Sequence, residues 1–465
     1  MRLQTLTVPC LVVLLSNLQT ACGGGILTPP PPPPPQQIPP PIMLRTLYRV
    51  VVNGTERMTT YGPNERTTYP LEAQLYYIPD ASGNGQTALN RMVNSTGTDH
   101  ADAVTSLTGY TLDEVLGYPW SSASLPGLTP ITEGSNATTG DNAMVLPSEN
   151  LAGYAAQPLP AYGYPRYGTQ GEVLLDLTAG GVTVESNAVG GGTVWRWFWN
   201  VVQFINNRDY GRQIQSDFYY RSIPQSNPNE AGDFYDRSNP TLAHGSPLLR
   251  FENQGSTQIT RAVPLEWLPT GFGGDPDHPI IWNQMVLGKD LALNFNNMGS
   301  VAEYTTHLTL PTASQGTFEA PVVYLRANFN RFWTYDATSK TLSEITSQLP
   351  PNCNFTGSYL FTPNFGGAIV SDASEANAMG VYGVDDRHGG SVNFFNISNF
   401  ICSGDGSDEG ANDTVAIAAV KGGFGGNNNN FVFPAGESTY NVYLISDSLQ
   451  NVVAQMDRLY AMGAK

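Results

Sequence analysis

The chain has 465 residues, of which 13% are charged and 11% aromatic, with 48 glycines, 35 prolines and a net charge of −17. That length asks for more than one core, and the wealth of turn formers and aromatics favours strands over long helices. The apolar content speaks against a disordered chain, and the acidity against both a sequence-independent nucleic-acid binder and electrostatic docking on anionic lipid.

Residues 1–21 read as an export signal. Arg2 supplies the positive start, and 6–18 form an apolar core too short to span a bilayer comfortably. The segment ends in Gln19-Thr20-Ala21-Cys22-Gly23. A small residue before a cysteine, followed by glycine, resembles a bacterial lipoprotein processing site. The resemblance implies a lipid on Cys22 and, with Gly23 next, an outer-membrane lipoprotein facing the periplasm or the cell surface. Gln19 departs from it, standing where that family carries an aliphatic residue; ordinary cleavage and secretion is the alternative. Residues 22–42 are then the lipidated cysteine and a tether. The proline run 29–35 holds an extended conformation, enough for the segment to lift a domain roughly 40–60 Å from the membrane.

An N-terminal β-rich region is expected over 43–190. Strand patterns occupy 44–52, closed by Asn53-Gly54, and 71–78. Residues 82–150 carry little regular apolar pattern, and 111–116 suggest a short helical turn with Asp113 and Glu114 early in it. Two aromatic clusters, containing Trp120 and Tyr164, are either ligand walls or covers for sheet edges. A hairpin is expected from 172–178 and 182–187 across Gly180-Gly181.

A second domain is expected over 191–465, centred on 195–220. Trp195, Trp197 and Trp199 alternate onto one side of a strand and read as a core wall. In the next run Gln213, Gln215, Asp217 and Tyr219 share one side and Arg212, Ile214, Ser216, Phe218 and Tyr220 the other. A polar side of this kind suits a sugar-sized trough. Further strands fit 257–267, 280–287, 290–295, 301–310, 316–327, 331–336, 358–361, 367–371, 378–382, 393–400, 414–420 and 438–445. This spacing predicts an all-β antiparallel sandwich. It closes with a helix capped by Ser448, whose Leu449, Val452, Val453, Met456, Leu459 and Tyr460 recur at helical spacing. Cys353 and Cys402 can pair in an oxidising compartment, worth roughly 4 kcal/mol, buried thiols being the alternative.

Glycoside hydrolysis uses a protonated and an ionised carboxyl. Glu230 and Asp233 supply such a pair, with Asp209 as a further partner and Arg212 to hold one of them ionised. Tyr210, Gln213, Gln215, Tyr219, Trp120, Tyr164 and His244 are the candidate sugar contacts. β-Elimination of a uronic glycan is a second reading, with Tyr210, Arg212 and His244 in its roles. An Arg212–Asp209 structural ion pair is the bland alternative. No zinc spacing, phosphate loop or dinucleotide fingerprint is present. No cofactor is expected beyond a structural calcium at acidic loops 404–413 or 274–277, which read more simply as solvated turns.

The segment Asp209-Tyr210-Gly211-Arg212-Gln213-Ile214-Gln215, followed by Pro264-Leu265-Glu266-Trp267, is similar to a group of bacterial exported proteins, and Asn328-Phe329-Asn330-Arg331-Phe332-Trp333-Thr334-Tyr335-Asp336 with the terminal strand and helix resembles galactose-mutarotase-like β-supersandwich domains of carbohydrate-active proteins. The likeness spans 190–465 and implies a carbohydrate ligand without assigning site residues. The expected protein is thus a lipid-anchored exported one acting on a polysaccharide, most simply by glycoside hydrolysis. A polysaccharide lyase and a non-catalytic glycan-binding or adhesive lipoprotein are the alternatives.

Overall fold

The computed structural model describes residues 38–147, 149–166, 174–207, 213–223, 226–232, 245–267, 277–351, 358–401, 414–422 and 431–465. The leader, Cys22 and most of the tether lie outside these residues. So do Cys353, Cys402, the acidic loop 404–413, and Asp209, Tyr210, Arg212, Asp233 and His244.

Two antiparallel sheets face each other over the C-terminal two-thirds of the chain. The back sheet has nine strands in the order Leu248–Gln254, Thr257–Ala262, Val286–Ala292, Val301–Leu310, Gly436–Asp447, Ala378–Val384, Phe365–Ser371, Arg331–Asp336 and Thr341–Glu344. Its fourth strand shows why the sequence folds this way. In Val301–Leu310, the residues Ala302, Tyr304, Thr306, Leu308 and Leu310 are buried, while Glu303, Thr305, His307 and Thr309 between them are not. A period of two with one apolar side can satisfy its backbone and hide that side only in a sheet.

The front sheet runs through Leu174–Ala179, Val182–Asn187, Thr193–Trp199, Ile214–Tyr220, Ser314–Arg326, Thr414–Gly422, Phe394–Asn399 and Ser358–Phe361. Val194, Trp197, Ile214, Val323, Leu325 and Ile417 from this sheet meet Leu291, Tyr304, Phe332, Val370, Val381 and Leu444 from the other. Trp197 is fully buried in this core and the half-buried Trp199 packs on it, but Trp195, at a register shift opposite Glu185 and Ser186, is buried with Val189 in a separate cluster, so the core-wall reading holds for two of the three tryptophans. The Trp197 indole is not stranded there: its Nε1 donates to Ser446 Oγ at 3.0 Å.

Leu449–Ala461 is the expected helix. Ser448 Oγ accepts from Asn451 N, and Leu449, Val452, Met456 and Leu459 press on Ile369, Tyr382 and Tyr443 of the back sheet's far side. Gly380 makes this approach possible, since a Cβ there would lie 2.5 Å from Val452 Cγ1.

In the N-terminal region Ile42–Val52 pairs with Glu56–Thr60 and Leu71–Pro79, and its start pairs with Ile280–Ile281. Strands Thr129–Ser135, Asn142–Val145 and Ala155–Pro165 join them. A separate three-stranded sheet comprises His100–Ala103, Leu89–Asn94 and Tyr110–Gly117. The helical turn expected at 111–116 is therefore corrected to strand. Asp113 and Glu114 do not serve a helix N-terminus; they reach across to Arg91 at 2.6 and 3.2 Å, and this cross-strand charge pairing outweighs the local helical signal. The strands expected at 280–287 and 290–295 become Ile280–Ile281 and Val286–Ala292. Helix Pro63–Thr68, led by a proline, was not foreseen.

Candidate functional site

Alternation along Ile214–Tyr220 divides its side chains between two environments. Ile214, Phe218 and Tyr220 enter cores between the sheets, and Ser216 Oγ lies 3.3 Å from the Tyr304 hydroxyl of the back sheet. Gln215, Asp217 and Tyr219 take the outer side of the front sheet. The predicted division of faces is correct, but the predicted openness is not. Gln213 and Gln215 are buried, Gln213 Oε1 accepting from Thr193 Oγ1 at 2.6 Å and Gln215 Oε1 from Ala231 N at 3.2 Å. The Tyr219 hydroxyl accepts from Asn227 Nδ2 at 3.1 Å. Gln215 and Tyr219 fasten the segment 227–231 against the sheet, and Gln213 ties its strand to Thr193, rather than lining an open trough.

Glu230 is likewise removed from any open cleft. It is fully buried. Its Oε2 accepts from Ser216 N at 2.9 Å, and both its oxygens lie 3.2 Å from Lys289 Nζ. Lys289, also fully buried, donates to Gly192 O at 2.8 Å, and burial pulls its ammonium below the ordinary lysine range. The chain comes so close here that a Cβ on Gly191 would lie 1.8 Å from Glu230 O. Glu230 is thus the internal counter-charge of Lys289. Trp120 and Tyr164 are corrected in the same way: both are buried in one core, edge to face with centroids 5.4 Å apart, and neither forms a ligand wall.

The outer side of the front sheet carries a different pair of acids. Asp217 and Glu319 lie directly opposite each other on adjacent antiparallel strands, and Asn229 lies opposite Asp217 on its other side. The row continues through Val420 to Phe394. Beneath it, Gln215, Val322, Ala418 and Asn396 make a second row. Facing side chains at such positions have Cβ atoms about 4.5–5.5 Å apart. Asp217 is 2% exposed and Glu319 7%. Asp217 Oδ1 and Asn229 Nδ2 are buried without a hydrogen-bond partner among the described residues. An unpaired acceptor beside an unpaired donor on one face is an arrangement that native interiors rarely leave unfilled.

Electrostatics set this pair apart. Burial pushes the Glu319 carboxyl up to about 7. Burial, then the Glu319 charge and then that of Glu230, lift Asp217 well above the carboxylate range. Two interacting buried acids titrate as a unit, and each makes it harder for the other to lose its proton. Glu266 stands nearby: its carboxylate accepts from Asn227 N and, at 2.7 Å, from Trp282 Nε1, and burial raises it to about 7. Of the loops considered for calcium only Asp277 and its successors are described, and Asp277 is taken by Arg66 and the Tyr48 hydroxyl.

Neither Asp217 nor Glu319 was nominated from the sequence. Each is the single acid of its strand, but nothing in one sequence says that the two strands are neighbours in this register.

No family model matches the chain, and no curated protein matches it. Solved structures similar to it include the GalM/aldose epimerase homologue from C. elegans, at 9% identity over 60% of this chain and 99% of that one, with a TM-score of 0.34. Galactose 1-epimerase from Lactobacillus acidophilus NCFM matches at 11% identity over 61% and 97%, with a TM-score of 0.34. 4-Alpha-glucanotransferase from Thermococcus litoralis matches at 9% identity over 61% of this chain and 42% of that one, with a TM-score of 0.31. The first two carry names of the galactose-mutarotase group that 190–465 was expected to resemble. At such identities and scores the likeness carries no chemistry.

Proposed function

We propose that the chain acts on a glycan at the outer side of the front sheet, with Asp217 as the protonated acid and Glu319 as its ionised partner in glycoside hydrolysis. The observation that carries this reading is the cross-strand acid pair beside an unpaired buried donor and acceptor. Retaining hydrolysis needs one protonated and one ionised carboxyl about 5–5.5 Å apart. Facing positions on adjacent antiparallel strands hold the two Cβ atoms about 4.5–5.5 Å apart, which brings the carboxyls of Asp217 and Glu319 to one place on the sheet. The Asp217 proton goes to the leaving oxygen, Glu319 attacks the anomeric carbon, and water then releases the sugar with Asp217 returning as base. Asn229 Nδ2 is a donor for a sugar hydroxyl.

The test is a panel of polysaccharides read for new reducing ends and, separately, for unsaturated products. Hydrolysis by the parent chain and its loss in Glu319→Gln and Asp217→Asn, both still folded, is the expected result. Unsaturated products would replace hydrolysis by elimination, and full turnover in both variants would remove the pair from the chemistry. A second reading is glycan binding without turnover. It predicts retained polysaccharide in pull-downs and no product of either kind.

The leader supports a lipid anchor at Cys22 and a place on the outer membrane. Cys22→Ser is expected to release the chain from the membrane fraction; retention there would count against the anchor.

A further inference from the structure

The two sheets of the sandwich end on one side in Leu174–Ala179 and Leu248–Gln254, and on the other in Ser358–Phe361 and Thr341–Glu344. An end strand leaves one row of backbone N–H and C=O groups unpaired, and such a row recruits a further strand unless something blunts it. The two sides differ in this respect. On the first, side chains reach from one sheet to the other. Asn253 Nδ2 donates to Asp176 O at 2.7 Å, and Gln258 Nε2 donates to Leu175 O at 2.8 Å. Asp176, Arg250 and Glu252 also line that side with charge.

Nothing comparable guards the second side. Ser358–Phe361 pairs with Phe394–Asn399 alone, and Thr341–Glu344 with Arg331–Asp336 alone, so the outward backbone row of each has no partner among the described residues. Glu344 is the one charged residue of the two strands, and Arg331 pairs with it at 2.9 Å. Each strand turns a leucine into water, Leu360 at 43% exposure and Leu342 at 37%. The edge is nonetheless firmly set. Tyr359 and Phe361, with Ile345 and Leu349 of the connection between the two strands, pack on the core between the sheets.

A chain with a net charge of −17 repels its own copies over most of its surface, and this neutral edge is an exception. Its occupant has to offer two rows of backbone at the spacing of packed sheets, about 10 Å. One extended peptide fills one row and leaves the other bare. A second copy of the same edge fills both. A two-fold axis perpendicular to the sheets sets each end strand antiparallel to its own copy, in both sheets at once.

We propose that the chain forms a two-fold dimer through the edge made by Thr341–Glu344 and Ser358–Phe361, with the sheets of one copy continuing into those of the other. Two such short strands from each copy bury roughly 800–1,200 Å² in total, the low end for specific association, so the dimer is weak and reversible. The inference uses neither Asp217 nor Glu319 and is independent of the glycan reading.

The experiment is sedimentation velocity on the purified full chain at concentrations up to about 100 µM, where association of micromolar strength populates the dimer. The parent is expected to pass from one copy to two across the series. Leu342→Lys combined with Leu360→Lys puts like charges from both copies into the interface and should weaken association about tenfold or more. Both side chains are exposed, so its unfolding midpoint should stay at the parent's value. Leu174→Lys, on an exposed leucine of the guarded side, should associate as the parent does. A parent that stays single throughout the series, a double variant that associates like the parent, or a Leu174→Lys variant that no longer associates would each overturn the proposal.

Discussion

Replacing Glu230 by glutamine separates a structural from a catalytic role for the acid that sequence reasoning placed in a cleft. In the structure its carboxylate takes a backbone N–H from Ser216 and sits 3.2 Å from the ammonium of Lys289, and neither side chain reaches solvent. Glutamine keeps the shape and the acceptor but removes the charge, and turns one N–H group toward that ammonium. Lys289 then has a single backbone carbonyl, Gly192 O, to compensate it. Breaking a buried pair from one side typically costs about 3–5 kcal/mol, because the surviving charge stays desolvated. That is a large part of the roughly 5–15 kcal/mol stability of a domain. Urea denaturation at pH 7 should therefore show a midpoint shift of this size at unchanged slope. The double replacement Glu230→Gln with Lys289→Met should recover much of the loss, since the pair is then removed from both sides. A single variant within about 1 kcal/mol of the parent, yet inactive on a glycan that the parent cleaves, would refute the structural assignment and return Glu230 to the chemistry.

Glu319→Gln should act in the opposite sense on stability. A carboxyl raised from 4.5 to about 7 binds its proton more tightly in the folded state. Its stabilising contribution is complete below the unfolded value and is lost as pH climbs through 7, a loss of roughly 3 kcal/mol. The variant should flatten the fall in stability from pH 4 to 8 and be the more stable form at pH 8; an unchanged pH profile would count against a raised Glu319. Gly191→Ala should fail to accumulate as folded protein, because its φ of 69° and the 1.8 Å approach to Glu230 O leave no room for a methyl group. Circular dichroism of the purified variant checks this. Met456→Ala, in the helix face against Gly367 and Gly380, should lower stability by about 2–5 kcal/mol through the cavity it leaves, read by urea midpoint.

The sandwich was legible wherever a short-range pattern decides the outcome. Trp197 and Trp199 at alternate positions, the alternation of Val301–Leu310 and the capped heptad-like run after Ser448 each bury one side, and each side found a partner. The site was legible only in part, for a reason that the strand Ile214–Tyr220 makes plain. Alternation says which residues share a side; it does not say whether that side is wet. Gln213 and Gln215 look like sugar contacts because amides are polar, yet a buried amide also serves to satisfy a backbone group, as Gln215 does for Ala231 N. Glu230 looked catalytic because a carboxylate near an arginine suggests acid–base work, but its true partner, Lys289, lies 59 positions on, in a strand where nothing local says that the lysine and not the neighbouring Asp290 points inward. The pairing of Asp217 with Glu319 likewise depends on a register across 102 positions of chain, with a bulge between Glu319 and Val322 that shifts the partner by one. One extra residue in that bulge would turn Glu319 to the opposite side of the sheet and dissolve the acid pair while leaving every local pattern intact. Deleting Ala320 or inserting an alanine beside it should therefore abolish any turnover that depends on the pair, even where the sandwich survives, and preserved activity in a folded insertion variant would show that the two acids do not work together.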